Sequence, residues 1–222
     1  MVPRVARSAA PALVLALTLA STAAVAQQRN INFELLAAAR NGSEASVRAL
    51  LDQGANPDSR NRLGDTPLAM ATRSGNLALA RLLIERGANV NQPNLARVTP
   101  LMEAAFGCHP DLMCLLLAQR ADTAAVDRVQ KTALIYAAGN GCADCLRLLL
   151  ESGIDANRRY ANDGTALMWA AAYGHLPAAR LLLERGADVN ARDDRGKTAL
   201  AIALDEKQQA MAELLRAAGA RD

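Results

Sequence analysis

The amino-acid sequence predicts an all-α protein, a solenoid of stacked helix-turn-helix units joined by β-hairpin-like loops. Two observations support this prediction. Aromatic residues make up only 3% of the 222 residues, which disfavours sheets, because strands are enriched in aromatic and β-branched side chains. The chain also repeats itself with a period of 33 residues, and a period of this length indicates a repeat protein. Threonines keep this step at Thr66, Thr99, Thr132, Thr165 and Thr198.

Residues 1–26 have the pattern of a secretory signal peptide. Two arginines and no acidic residue come first, the apolar stretch "PALVLALTLA" follows, and two alanines frame a cleavage point after Ala26. A retained membrane anchor is the alternative, but a proline and several hydroxyl residues interrupt the apolar run, and a membrane span needs about 20 apolar residues. We therefore expect cleavage after Ala26 and a single mature domain at residues 27–222.

The charge of the mature chain disfavours two classes of partner. Removal of residues 1–26 lowers the formal net charge from +3 to +1, because the segment contains Arg4 and Arg7 and no acidic residue. A near-neutral chain lacks the basic surface typical of nucleic-acid binding, and no basic amphipathic helix marks a membrane surface. We expect a periplasmic protein of a Gram-negative bacterium, without nucleic acid or stable membrane insertion, and monomeric.

One repeat, "TALMWAAAYGHLPAARLLLERGADVN", shows how a unit is built. The hydroxyl of Thr165 is placed to cap a first helix, and the small Ala170 lets a neighbouring helix approach closely. Gly174 suits the left-handed residue that ends this helix. Pro177 fits the first turn of a second helix, where a missing N–H costs nothing. A single helix pair cannot bury its own apolar face, so the units must stack.

Stretches such as "DTPLAMATRSGNLALARLLIERGANVN" and "KTALIYAAGNGCADCLRLLLESGIDAN" resemble the ankyrin-repeat family over roughly residues 30–220. The family motif T-P-L-H-x-A-A is kept loosely, since its proline survives only at Pro67 and Pro100 and other residues replace its histidine. The resemblance implies six units, at about 30–61, 62–94, 95–127, 128–160, 161–193 and 194–222. The first unit has Phe33 in place of threonine, and the last carries the polar run "DEKQQAMAE", so both suit capping positions.

The resemblance implies a non-enzymatic protein-protein interaction module that binds a protein partner on its concave face. No catalytic motif and no cofactor site is found in the sequence. His109 and His175 are 66 residues apart, which places them two units and roughly 20 Å apart, too far to share a metal ion. The family often uses a histidine there as a structural hydrogen-bonding residue. An immunity-type protector of an envelope enzyme is an alternative that differs only in its partner.

The candidate contact residues lie late in the first helices and at the hairpin tips. They are Arg62, Asp65, Arg73, Phe106, Arg128, Lys131, Asn140, Arg158, Tyr160, Asn162 and Tyr173. Aromatic residues among arginines have the composition of interface hot spots. Trp169 is either a core residue or a contact residue, because its position in the family usually faces a neighbouring unit.

All four cysteines, Cys108, Cys114, Cys142 and Cys145, lie in the third and fourth units. An exported chain meets an oxidising compartment, which favours disulfides, and four cysteines allow three pairings. Cys108 and Cys142 fall in successive copies of the turn between helices, so we favour this bridge, which leaves Cys114 with Cys145. The alternative is a thiol-disulfide redox protein that uses Cys142 and Cys145 at a helix start. The spacings disfavour a zinc site, and we expect no metal.

Overall fold

The computed structural model describes residues 27–28 and 30–221. The predicted signal peptide, residues 1–26, lies outside this part. Residues 30–40 are helical and form α1. The helices that follow are α2 (Glu44–Asp52), α3 (Pro67–Arg73), α4 (Leu77–Glu85), α5 (Pro100–Phe106), α6 (Pro110–Ala118), α7 (Ala133–Gly139), α8 (Ala143–Glu151), α9 (Ala166–Ala172), α10 (Leu176–Glu184), α11 (Ala199–Asp205) and α12 (Gln209–Ala217). Only one short 3₁₀ turn, Ala161–Asp163, is added to them, and the described residues contain no strand. The predicted all-α class is therefore confirmed.

The helices form six antiparallel pairs, and each pair falls inside one of the six predicted spans. The first helices of the pairs pack side by side, α3 on α5, α5 on α7, α7 on α9 and α9 on α11. The second helices form a looser outer row. A continuous core of leucine and alanine side chains runs through all six pairs. This arrangement is the predicted solenoid, in which each unit buries the apolar face of its neighbours.

The repeated threonines cap the first helices as predicted. In each of the five pairs from α3 to α11, the threonine hydroxyl oxygen accepts the backbone N–H three residues later, at 3.1 to 3.5 Å. The repeated alanines are buried at the helix contacts, and Ala170 is fully enclosed. Pro177 lies in the first turn of α10. The threonine cap read from one repeat therefore recurs in five of the six units.

The turn between the two helices of a pair requires a left-handed residue. Gly174 fills it with a φ of +71°. Cys108 and Lys207 occupy the equivalent position in other units, with φ values of +53° and +59°. A left-handed conformation costs a residue with a Cβ roughly 1–2 kcal/mol. The third unit accepts this strain at Cys108, the residue that also enters the disulfide described below.

Five short loops connect successive pairs: hairpin 1 (61–65), hairpin 2 (94–98), hairpin 3 (127–131), hairpin 4 (160–164) and hairpin 5 (193–197). In each loop the N–H of the first residue donates to the carbonyl oxygen of the fifth, at 3.0 to 3.1 Å. Hairpins 1, 2, 3 and 5 begin with asparagine or aspartate, and this side chain also accepts the N–H groups of the third and fifth residues. Hairpin 4 begins with Tyr160, which offers no such acceptor.

Single backbone hydrogen bonds link neighbouring hairpin tips. Leu95 N–H donates to the carbonyl oxygen of Leu63, and Arg128 N–H donates to that of Ala96, both at 3.0 Å. Hairpin 5 is tied to hairpin 4 in the same way. In the part of the chain that the structure describes, no backbone hydrogen bond joins hairpin 3 to hairpin 4. The row of tips is therefore interrupted at one place.

Candidate partner-binding surface

A group of aromatic side chains and one lysine lies where the first helices meet the hairpins. This aromatic patch consists of Phe106, Lys131, Tyr136, Trp169 and Tyr173 and lines a cavity of about 500 Å³. The helices α5, α7 and α9 supply the rings side by side, because the repeat brings equivalent positions of successive first helices together. Phe106 and Tyr173 are 57% and 56% exposed. The patch is thus a large apolar surface that the stack leaves open.

The rings of the aromatic patch hold one another in place. Phe106 meets Tyr136 edge to face, with ring centroids 5.9 Å apart and planes at 87°. Trp169 and Tyr173 are stacked, with centroids 6.3 Å apart. The Nζ atom of Lys131 lies 4.4 Å from the centre of the Trp169 ring, within the range of a cation–π interaction. These contacts hold the rings in one fixed arrangement.

A buried carboxylate anchors the patch from below. The hydroxyl of Tyr136 donates to Oδ2 of Asp127 at 2.7 Å, while Oδ1 of Asp127 accepts two backbone N–H groups of hairpin 3. Burial raises the pKa of Tyr136 above its ordinary value, and the hydrogen bond to Asp127 raises it further. The phenol therefore stays protonated at neutral pH and serves as a fixed hydrogen-bond donor.

Tyr136 was not among the candidate residues, although the repeat offered a signal. Tyr136 and Trp169 are 33 residues apart and so occupy equivalent positions on α7 and α9. Trp169 is half-buried: it packs against the core and also stacks on Tyr173 and under Lys131. It also lines a second cavity of about 220 Å³, together with Asn162. The interpretation of Trp169 as a core residue is therefore partly correct, and its role as a contact residue stays a prediction.

Asp65 and Arg73 belong to an ion cluster that links two units. The Arg73 guanidinium contacts Asp65 at 3.0 Å and also binds Glu103 of α5, while Nδ2 of Asn94 donates to Asp65. Burial raises the pKa of Asp65, but hydrogen bonds from Arg73, Asn94 and Asn61 outweigh this effect and hold it below its ordinary value. Asp65 is only 2% exposed, so the prediction that it is a contact residue does not fit the structure. Its carboxylate braces hairpins 1 and 2 instead.

The remaining candidates divide into three places. Asn140 lies beside the aromatic patch, where its Nδ2 donates to the carbonyl oxygen of Phe106 at 2.6 Å. Arg62 and Arg128 are exposed at the tips of hairpins 1 and 3. At hairpin 4, the Arg158 guanidinium lies 5.9 Å from the ring centre of the half-buried Tyr160, and Asn162 is exposed. The structure thus gathers Phe106, Lys131, Asn140 and Tyr173 around one cavity, and Asp65, Arg73 and Arg128 around another of about 330 Å³.

The sequence matches a protein-family model along nearly its whole described length. A model described as ankyrin repeats in three copies matches residues 12–94, 35–127, 94–160 and 157–221. These overlapping matches cover nearly all of the described helices. The chain belongs to the ankyrin-repeat family. Ankyrin repeats are generally protein-protein interaction modules.

No curated protein matches this ankyrin-repeat chain. Among its described residues, no helix is both long and apolar enough to cross a membrane.

The cysteines of this ankyrin-repeat protein are only partly paired as predicted. Cys108 and Cys142 form a disulfide with a Cα–Cα distance of 5.3 Å, so the favoured bridge is confirmed. The second predicted bridge is wrong, because Cys114 lies on the exposed side of α6 while Cys145 is 0% exposed on α8. The Cys145 thiol points instead toward the carbonyl oxygen of Ala104, at 3.9 Å. Since Cys142 is bonded to Cys108, the redox pair of Cys142 with Cys145 is not formed here.

His175 has the structural hydrogen-bonding role that the family often gives to a histidine at this position. Nε2 of His175 donates to the carbonyl oxygen of Gly139, in the preceding ankyrin unit, at 2.9 Å. The ring also stacks on Tyr173, with centroids 6.2 Å apart. The predicted structural role of His175 is confirmed by this hydrogen bond. The histidine thus supports the aromatic patch from one side.

Proposed function

We propose that this ankyrin-repeat protein is a non-enzymatic interaction module of the bacterial envelope that binds a protein partner on its concave face, through the aromatic patch. The exposure of Phe106 and Tyr173 is the observation that carries the proposal. Both side chains stand at the ends of first helices, where alanine and leucine already fill the core. The stack does not need these rings, so their exposed area is available for a partner.

The fixed geometry of the patch favours binding on energetic grounds. Aromatic side chains bury large apolar areas and are enriched among interface hot spots. Their mutual contacts already restrict the rotamers of Trp169, Tyr173 and Tyr136, so docking costs less side-chain entropy. A rigid solenoid also presents residues from several units at the same time. The partner therefore meets a preorganised surface.

The charge of the hairpin row, which runs past the aromatic patch, indicates what kind of partner surface fits. Exposed arginines lie at or beside the hairpins, at Arg60, Arg62, Arg97, Arg128, Arg158, Arg159 and Arg195. The exposed acidic residues within the hairpins are Asp163 and Asp194, because Asp65, Asp127 and Asp193 are buried. Electrostatic complementarity speeds association and selects partners. We expect a partner with an apolar centre rimmed by acidic side chains.

The envelope location rests on the signal peptide predicted in residues 1–26. Cleavage after Ala26 gives a mature protein that begins with Gln27. N-terminal sequencing of protein purified from the periplasmic fraction should return Gln27. A sequence that starts at Met1 or Val2 would contradict export while leaving the partner-binding proposal untouched.

The double substitution of Phe106→Ala with Tyr173→Ala tests the binding surface. A cross-linked partner is identified from envelope extract with the wild-type protein, and its affinity is then measured with each variant. Truncation of a hot spot costs about 2 kcal/mol or more, so the pair should weaken binding by roughly a thousandfold if the effects add. The circular dichroism melt should remain close to that of the wild type.

Phe33→Ala is the matched control, because Phe33 is the other phenylalanine and is exposed at the far end of the stack on α1. This control should retain full affinity. If the double variant also retained full affinity, the contact surface would lie elsewhere, with hairpin 4 around Arg158 and Tyr160 the next place to test. A large fall in the melting temperature would instead assign both rings to the core.

A further inference from the structure

Three sulfur atoms form a cluster between the third and fourth units. The Sγ atoms of Cys108, Cys142 and Cys145 all lie within 4.8 Å of one another. Two of them belong to the disulfide, and Cys145 carries a free thiol. Cys108 is exposed, whereas Cys142 and Cys145 are buried. A free thiol therefore stands directly beside a disulfide that has one sulfur accessible to solvent.

The start of α8 explains why Cys145 faces Cys142. Cys142 is the N-cap residue of α8, and Cys145 is the third residue of its first turn. Side chains at these two helix positions lie on the same side of the first turn, which is why each can reach the backbone N–H of the other residue in a capping box. Cys145 can therefore form a bond to Cys142 without leaving its helix. Cys108, in contrast, reaches Cys142 from the turn of the preceding unit.

We propose that these three cysteines form a thiol-disulfide exchange site. In this site Cys145 replaces Cys108 as the disulfide partner of Cys142, and Cys108 becomes a free surface thiol. The Cys145 thiol loses its proton to water, and its sulfur attacks the Sγ atom of Cys142. A bond between Cys145 and Cys142 forms as the bond between Cys142 and Cys108 breaks. The electron pair leaves on the sulfur of Cys108, which takes a proton from water. No electrons are gained or lost overall, since one disulfide replaces another.

The released sulfur is accessible from the aromatic patch, because Cys108 lines the same cavity as Phe106 and Tyr173. From there it attacks the accessible disulfide of a second molecule, forms a mixed disulfide through Cys108, and releases the other half of that molecule as a thiolate. The substrate class is therefore an exposed disulfide on a protein or a small molecule. This chemistry does not depend on the partner-binding function proposed above.

Burial slows the first step at neutral pH. Burial is the largest cause that raises the pKa of Cys145, Asp144 and Cys114 add to it, the backbone N–H of His109 opposes them, and together they bring the pKa to about 12. Only the thiolate attacks a disulfide. At pH values below the pKa of Cys145, the rate of exchange should therefore rise about tenfold for each unit by which the pH increases. The bridge between Cys108 and Cys142 persists until alkaline conditions or a local opening of α8 exposes the thiol.

The test uses the folded full-length Cys114→Ser variant, in which Cys145 is the remaining free thiol. An aromatic disulfide, dithiobis(nitrobenzoate), is added at about pH 8.5, and unreduced peptides are mapped by mass spectrometry. The expected product carries the aromatic thiol on Cys108 and contains a bond between Cys142 and Cys145. An adduct on Cys145 with the original bridge intact would overturn the proposal, and so would no adduct after many hours.

Cys145→Ala in the Cys114→Ser background is the matched control. Alanine is tolerated at this position, because Ala178 occupies it in the next unit and is equally buried. The control should give no adduct on Cys108 and should keep the melting curve of its parent. Labelling of Cys108 at the same rate in this control would refute the role of Cys145. A labelling rate in the parent that does not change with pH would refute it as well.

Discussion

The four hairpins that begin with asparagine or aspartate differ from the one that begins with Tyr160. In all five loops the fourth residue is left-handed, but only hairpin 4 also has a left-handed third residue, Asn162, with a φ of +59°. In the other four loops the N–H of the third residue donates to the side chain of the first. Without this acceptor, hairpin 4 winds into a 3₁₀ turn. One side chain per unit thus decides the shape of each loop.

The same difference reaches the neighbouring unit. In the regular row, the N–H of the second residue of one hairpin donates to the carbonyl oxygen of the third residue of the hairpin before it. Ala161 is the second residue of hairpin 4, and within the described ranges its N–H makes no such bond to Val129. A local change at Tyr160 therefore removes a contact between units. The hairpin row is held together by a set of separate links, which can be tested individually.

Asp127→Ala should give the largest effect, because it removes the regular loop from hairpin 3. The variant loses two hydrogen bonds from backbone N–H groups to a carboxylate and leaves the Tyr136 hydroxyl without a partner. Such losses add to about 3 kcal/mol or more of unfolding free energy. Urea unfolding followed by circular dichroism measures it. Asp194→Ala, at an exposed residue of hairpin 5 with ordinary backbone angles, should cost less than about 0.5 kcal/mol. Equal costs would show that the aspartate acceptor does not matter.

Asp65→Asn tests the additional side-chain link between hairpins 1 and 2, and its effect should depend on pH. Because the pKa of Asp65 is lower in the folded state than its ordinary value of 3.8, its stabilisation is present above pH 3.8 and disappears as the pH falls through the folded value. At neutral pH the variant should be less stable by about 1–2 kcal/mol, a modest value because Arg73 is half-exposed.

The difference between the wild type and Asp65→Asn should narrow below about pH 4, where the carboxylate is protonated. Urea midpoints measured across the acidic range would show this convergence. A difference that stayed constant down to about pH 2 would mean that the charge of Asp65 does not stabilise the hairpins.

Tyr160→Asp should give the smallest effect on stability, because the gain of an acceptor offsets the loss of a half-buried ring. We expect a net change within about 1 kcal/mol. Amide hydrogen exchange should nevertheless slow at Asn162 and Gly164, whose N–H groups gain a carboxylate partner. Tyr160→Phe keeps the ring without adding an acceptor, so it should leave this exchange pattern unchanged. If amide exchange in Tyr160→Asp did not change, the first residue of the hairpin would not determine the shape of the loop.

The period of 33 residues predicted the helix pairs and the threonine caps, because these depend on contacts within a unit or between identical positions. The same register also distinguishes the two cysteines outside the disulfide. Cys145 is in register with Leu112, which is buried, and Cys114 with Arg147, which is exposed. A leucine and an arginine at equivalent positions indicate opposite sides of the second helix, so the two thiols cannot meet.

Other features could not be read from one repeat. Asp65 lies in a polar loop and looks exposed, but its partners come from α3 and from hairpin 2 of the next unit. The aromatic patch likewise depends on residues that differ between units, since Phe106, Tyr136 and Trp169 come from three successive first helices. Their meeting follows from the stacking geometry and from which rotamers the rings adopt. A sequence pattern locates the helices but not these contacts.

The disulfide between Cys108 and Cys142 has a mechanical consequence. Repeat proteins pulled from their ends unravel unit by unit, and each extended residue adds about 3.4 Å of length. The bridge encloses a sequence separation of 34 residues, so roughly 110 Å of chain cannot extend under tension while it is intact. Force applied to the two ends passes through the sulfur atoms and bypasses α6, hairpin 3 and α7, which all lie between Cys108 and Cys142. The middle of the solenoid is thus shielded from stretching until the bridge is reduced.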